Sequence, residues 1–249
     1  MNYKISQRPP PPKFNWNLVA QKQIKETKQM PELQKSDKRR LKQVNLLIDE
    51  MLKKLSQDNP QFLSDLNQDT IKAKCFEMLN SELIEKVKSK KYQSIACALI
   101  IQSLRILLVP LRVNEVIQII DVNDKQVRKI LNQLNQFEPF NEDAFTIAFM
   151  ARICKGIGFN QKFQTLCKFF FSNLKNLNLI QGEHEHVIAS VLIKLSGDFV
   201  FKEKGGINLN AISEMAGCCQ ISLKNVLQKL SPYIKTMYDS AFEFYQRTK

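Results

Sequence analysis

SIACALIIQSL, Ser94–Leu104, and VIASVLIKLSG, Val187–Gly197, are one apolar pattern written twice. At an offset of 93 they pair Ile95 with Ile188, Ala96 with Ala189, Leu99 with Leu192 and Ile100 with Ile193. Each stretch is apolar on most sides, which predicts a helix enclosed by other helices rather than one resting on a surface. The paired alanines suit close crossing of neighbours in a packed interior. Pro110 ends the first of these helices and Gly197 stops the second.

Downstream of each stretch the likeness continues. VNEVIQIIDVNDKQVRKILNQL (Val113–Leu134) lies over LNAISEMAGCCQISLKNVLQKL (Leu209–Leu230) at an offset of 96. The three added residues fall in the loop that holds Gly205 and Gly206. Both copies read as a short helix, a turn and a further helix, with Asp121–Asp124 and Gly217–Cys219 as the turns. Upstream, Leu41, Val44, Leu47, Ile48, Met51, Leu52 and Leu55 recur at three and four, as do Ile71, Cys75, Met78, Leu79, Leu83 and Val87. Glu138-Pro139 separates the halves. The second half opens with helices over Asn141–Ile157 and Gln161–Leu177 and closes on one long helix from Ile221 to about Arg247. No segment alternates with period two long enough to predict a strand.

The expected fold is therefore all-α, with two five-helix repeats in tandem. The expected organisation is a basic, Pro-containing disordered arm over 1–38, a first repeat over 39–138 and a second over 139–249. In the arm, Pro9–Pro12 and scattered lysines leave too little apolar surface to offset chain entropy. Its apolar knot, Phe14, Trp16, Leu18 and Val19, either folds back or serves as a docking peptide for a partner.

Composition narrows the chemistry. All 7 glycines lie at or after Gly156. The first half therefore has no phosphate-binding loop or Gly-rich dinucleotide turn, both of which need backbone that only glycine supplies cheaply. The 249 residues carry 37 Lys plus Arg against 24 Asp plus Glu, a net charge of +13. Residues 1–43 hold 11 of the bases and 3 of the acids, so the arm carries most of the excess. A basic chain favours a polyanionic partner. The 6 cysteines include no CxxC pair and read as buried, reduced thiols. The polar N-terminus predicts no secretory signal, and Ile95–Leu111, interrupted by Gln102, Ser103, Arg105 and Pro110, reads as a buried helix and not a membrane span. No Cys or Ser sits beside a His with an orienting acid, so no catalysis is expected. Gly182-Glu183-His184-Glu185-His186 has no nearby third ligand, so neither a metal nor another cofactor is expected.

Tandem repeats with "IA-A-I" on the third helix, then a short helix, an "AG" turn and a helix opening on a β-branched or Ser/Thr position, resemble the cyclin-fold core of transcription initiation factor IIB. The resemblance covers roughly Leu41–Leu230 and is sharpest in INLNAISEMAGCCQISLKNVLQKL, Ile207–Leu230. That family carries an N-terminal zinc ribbon, whereas residues 1–74 here hold no cysteine. The likeness implies the DNA-binding core alone, used as a non-catalytic adaptor subunit of a nuclear complex with double-stranded DNA and other protein subunits as partners.

The candidate contacts follow from that frame. The second helix-turn-helix would present Gln220, Ser222, Lys224, Asn225 and Lys229 to a major groove, where short polar groups reach base edges and lysines meet phosphates. The alternative is that these residues form only the solvated face of a core helix. The first unit offers Lys125, Gln126, Arg128 and Lys129, weakened by Asp121 and Asp124. Lys38, Arg39 and Arg40 lie in a basic cluster at a helix start, where cations oppose the helix dipole, and suit a phosphate backbone or a nuclear localisation signal. Met237, Tyr238, Phe242, Phe244 and Tyr245 are expected to pack on Phe169, Phe170 and Phe171. Two other functions fit the same residues: a cyclin-type scaffold that binds a kinase or another protein, and an accessory DNA-binding subunit of a DNA-modifying complex such as an adenine methyltransferase.

Overall fold

The computed structural model describes residues 35–58, 68–79, 91–204 and 206–247. The arm over 1–34, with Phe14, Trp16 and Leu18, and the positions of Leu83 and Val87 lie outside the described residues. The chain divides into two units, 1–42 and 43–249. Of the first, Lys35–Lys42 is described, as the opening of a helix.

The described residues are all-α and contain no strand. In chain order the helices are α1 (Lys35–Asp58), α2 (Gln68–Leu79), α3 (Tyr92–Ile106), α4 (Val113–Ile120), α5 (Asp124–Phe137) and α6 (Glu142–Ile157). They continue as α7 (Gln161–Asn176), α8 (Glu185–Val200), α9 (Leu209–Ala216), α10 (Gln220–Leu230) and α11 (Ile234–Arg247).

Helices α3 and α8 are the two repeated apolar stretches, and both are enclosed. Residues Ser94–Leu104 of α3 are buried without a break, as are Val187–Ile193 of α8. Ala96 and Ala189 are both fully buried, as are Leu99 and Leu192. Around α3 pack α2, α4 and, most closely, α5. Around α8 pack α9, α10, α7 and, most closely, α6.

Helix starts follow the sequence offsets. Tyr92 of α3 and Glu185 of α8 are 93 apart, while Val113 and Leu209, and likewise Asp124 and Gln220, are 96 apart. The turns match too: Asp121 (φ +60°) and Gly217 (φ +54°) both take the left-handed conformation at equivalent places. A left-handed residue ends a helix cleanly by turning its amide back onto the last carbonyls.

Several boundaries differ from the sequence reading. The third helix ends before Pro110, because Leu108 turns left-handed (φ +58°) and Val109 donates back to the Leu104 carbonyl at 2.8 Å. Gly197 does not stop α8, which continues to Val200. A Cβ at that position would overlap the Ile207 side chain, so the glycine admits a close neighbour rather than a turn. The long final helix is two. Pro232 lacks a backbone donor, and Ser231–Tyr233 form a 3₁₀ turn between α10 and α11.

The core of the second half is aromatic. Phe149 and Phe170 are fully buried, and Phe159 stacks on Phe163 with centroids 4.1 Å apart. Phe244 stacks on Phe169 at 4.5 Å and Tyr238 meets Phe170 edge-on at 6.0 Å. Phe242, expected inside, is 59% exposed, because α11 turns only one face, with Met237 and Ala241, into the core. Of the cysteines, Cys75, Cys97, Cys154 and Cys167 are buried, whereas Cys219 is exposed. Burial pushes the Cys75 and Cys97 thiols up to about 12, so they stay protonated. None of the described helices is long and apolar enough to cross a membrane.

Candidate nucleic-acid interface

Helix α9 begins where the Asn208 side chain accepts the Asn210 amide at 2.8 Å. It buries Ile212, Ser213 and Ala216 and stops at Gly217. There the Gly217 carbonyl accepts from Arg112 Nη1 at 2.6 Å, and a Cβ would overlap the Arg112 guanidinium. Glycine adopts this left-handed angle without strain and leaves the space that the guanidinium fills. Helix α10 then buries Leu223, Val226 and Leu230, whose three-residue and four-residue spacing fixes the opposite face outward.

On that outward face Lys224, Asn225 and Lys229 are exposed and Gln220 and Ser222 are half-buried. Lys224 has no ion pair among the described residues. Lys229 does: its Nζ lies 2.5 Å from Glu183 Oε1, a carboxylate 24% exposed. Ser222, Asn225, Gln228, Lys229 and Glu183 together line one shallow depression. Beside them, Ile221 is 67% exposed at the first turn of α10, a large apolar group that core packing does not account for.

The equivalent unit in the first half is more self-contained. Asn123 caps α5 by accepting the Gln126 amide at 3.2 Å. Arg128 Nε donates to Asp124 Oδ1 at 2.7 Å, and its Nη2 donates to Asn114 Oδ1. Gln126 accepts from Ser94 Oγ at 3.3 Å. Lys125 and Lys129 are exposed and make no ion pair among the described residues. Two of the four sequence candidates are thus occupied within the protein, and Asp124 is matched by Arg128. Within the first unit, Arg39 is exposed and Arg40 half-buried on α1, while the Lys38 side chain lies outside the described residues.

The feature that sequence reading missed is an ion cluster between the halves. Arg112, at the N-cap of α4, donates from Nη2 to Glu115 Oε1 at 2.9 Å and from its backbone amide to Glu115 Oε2 at 2.8 Å. Arg152 of α6 reaches the same carboxylate with both terminal nitrogens, at 2.9 and 3.0 Å, and also donates to the Pro110 carbonyl at 2.6 Å. Burial alone would raise the Glu115 carboxyl, but the bonds from Arg152 and Arg112 outweigh it and hold the group down at about 2. One signal existed in the sequence: Arg152 stands inside an otherwise apolar helical pattern, where a cation needs a partner.

His184 and His186 stack with centroids 5.6 Å apart and planes at 14°. Residues two apart on a helix diverge, but His184 is the N-cap of α8 and so lies outside the helical turn. Among the described residues no group of three or more His, Cys, Asp or Glu side chains is arranged to hold a metal ion.

The chain matches no protein-family model and is significantly similar to no curated protein.

Proposed function

We propose that the chain is a non-catalytic DNA-binding adaptor subunit of a nuclear complex, built on tandem five-helix, cyclin-like repeats similar to the core of transcription initiation factor IIB. The observation that carries the reading is the α9–Gly217–α10 unit. Its second helix turns Lys224, Asn225 and Lys229 to solvent and begins with an exposed Ile221, the mixture of cationic, amide and apolar groups that phosphates, base edges and thymine methyls accept. The matching helix starts of the two halves support the tandem repeat. The net charge of +13 supplies long-range attraction, and the arm carries the larger part of it.

A protein-binding scaffold is the second reading, favoured by one observation. Glu183 sits against Lys229, so the outward face of α10 offers an apolar Ile221 and a neutralised pair alongside its free lysine. Apolar groups exposed beside paired charges suit a protein partner as well as a groove.

Fluorescence anisotropy of a labelled duplex titrated with the full chain at several salt concentrations tests the proposal. Lys224→Ala should weaken binding and reduce the salt slope by about one, as expected for a lost phosphate contact. Asn225→Ala should narrow the difference between preferred and random duplexes. Unchanged affinity in both variants, with Ile221→Asp instead abolishing capture of a protein subunit, would favour the scaffold.

A further inference from the structure

A cavity of about 290 Å³ opens between α3, α4, α5, α6, the first turn of α8 and the Gly217 turn. Three arginines line it, Arg105, Arg112 and Arg128, together with His184 and His186. They come from distant parts of the chain, so the cationic lining exists only in the folded protein. Phe145 and Phe149 floor the cavity and keep part of its wall apolar.

The arginines are not equally satisfied. Arg128 is held by Asp124 and Asn114, and Arg112 by Glu115 and the Gly217 carbonyl, yet the Nε of Arg112 is buried with no hydrogen-bond partner. Arg105 lies with its guanidinium 4.7 Å above the Phe140 ring and makes no side-chain hydrogen bond or ion pair among the described residues. Burial therefore destabilises its charged form, and Glu185 and Glu142 act on it only through space. The Arg105 guanidinium is half-buried, and its donors are open to a ligand entering the cavity.

The opening turn of α8 adds to this. His184 makes no side-chain cap, and the first amides to bond inside the helix are those of Val187 and Ile188, both to the His184 carbonyl. The preceding amides, Glu185 and His186, bring the positive end of a 16-residue helix to the cavity wall. Glu185 is the one free carboxylate lining the cavity among the described residues. Glu115 and Asp124 are already committed to arginines.

We infer that this cavity binds a compact phosphate monoester, held by the free donors of Arg105 and Arg128 with the α8 amides and the His186 ring completing the shell. The lining donors come from several helices, which suits a tetrahedral oxyanion with acceptors on several sides better than a flat carboxylate. A monoester can enter through one bond to its carrier, whereas a duplex phosphodiester is tethered on both sides and its strand would have to follow. Bound phosphate would tie α3 and α5 of the first half to α8 and the Gly217 turn of the second. The site is independent of the groove contact proposed for α10.

Isothermal titration of the full chain with inorganic phosphate, against sodium chloride at equal ionic strength, tests the inference. A saturable one-to-one heat is expected, weakened about tenfold in Arg105→Gln and less in Arg105→Lys, the loss of one charge-assisted contact. The chain has only two histidines, so the His186 ring is followed directly by proton resonance, and its titration should move to higher pH when phosphate is added. The groups acting on that ring are His184, Glu185, Arg112 and Glu115. A short peptide carrying one phosphoserine separates the sources of the anion. Tighter binding than inorganic phosphate assigns a phosphorylated partner, and equal binding assigns a free small anion. If Arg105→Gln loses its native melting transition, the exposed Arg128→Gln serves the same comparison. Absence of saturable heat, wild-type affinity in both the Arg105→Gln and Arg128→Gln variants, or displacement of phosphate by unphosphorylated duplex with matching loss of duplex affinity in Arg105→Gln, overturns the proposal.

Discussion

Arg112 and Gly217, 105 residues apart, are joined by a 2.6 Å hydrogen bond from the guanidinium of one to the carbonyl of the other. The same arginine is bound to Glu115, which Arg152 also holds. The turn between α9 and α10 is thus braced by the N-cap of the first-half helix α4. The orientation of α10 depends on an ion cluster that its own sequence does not contain.

Gly217→Ala should reveal that bracing. The substitution puts a Cβ into the left-handed region and into the Arg112 guanidinium. Strain and the lost contact should together cost about 2 kcal/mol. Urea denaturation reads the stability. Duplex affinity should fall as well, since the turn aims α10, and a variant that melts early yet binds duplex normally would separate the turn from the interface.

Glu115 makes stability depend on acid. Its folded carboxyl titrates at about 2, below an ordinary value of 4.5. A depressed acid contributes stability that is fully present above the unfolded value and is lost as pH falls through the folded one. The loss should therefore run from about pH 5 down to about pH 2 and amount to about 3 kcal/mol at most, the group being largely screened from solvent. Glu115→Gln should flatten that limb of the stability profile while lowering stability near neutrality, because two guanidiniums lose their shared counter-charge. A mutant profile parallel to the wild type below pH 5 would show that other carboxylates govern the acid limb.

Removing a carboxylate from the rim of the α10 face should strengthen binding to a polyanion. Glu183→Gln frees Lys229, now held at 2.5 Å. Duplex affinity should rise about threefold and the salt slope should steepen by up to one counterion. Stability should change by less than about 1 kcal/mol, as for other exposed pairs. Weaker duplex binding in this variant would mean that Glu183 itself contacts the partner.

Phe149→Ala should be the most damaging of these substitutions. The ring is 2% exposed and lies 6.4 Å from His186 and 6.3 Å from Phe145. Its removal leaves a cavity at the junction of α6 and α8 and should cost about 3–5 kcal/mol. Calorimetric melting at neutral pH measures it directly.

The repeated apolar stretches determined much by themselves. Burial on all sides of Ser94–Leu104 and Val187–Ile193 follows from their composition, and the offsets of 93 and 96 place the short helices α4 and α9 and, to within a residue, the helices α5 and α10 that follow them. Local rules also supplied the left-handed Gly217 and the outward face of α10, because periodicity and turn chemistry act over a few residues. Other features needed the tertiary structure. Gly197 reads as a helix stop in isolation, and only the neighbouring Ile207 explains it as a packing site. Arg112 and Glu115 are unremarkable along the chain, and although Arg105, Arg152 and Gly217 stand out locally, nothing in the sequence says which of these residues meet. Their pairing is decided by which helices meet, since a buried charge takes its partner from space and not from sequence, and that meeting creates both the brace on the Gly217 turn and the cationic cavity beside it.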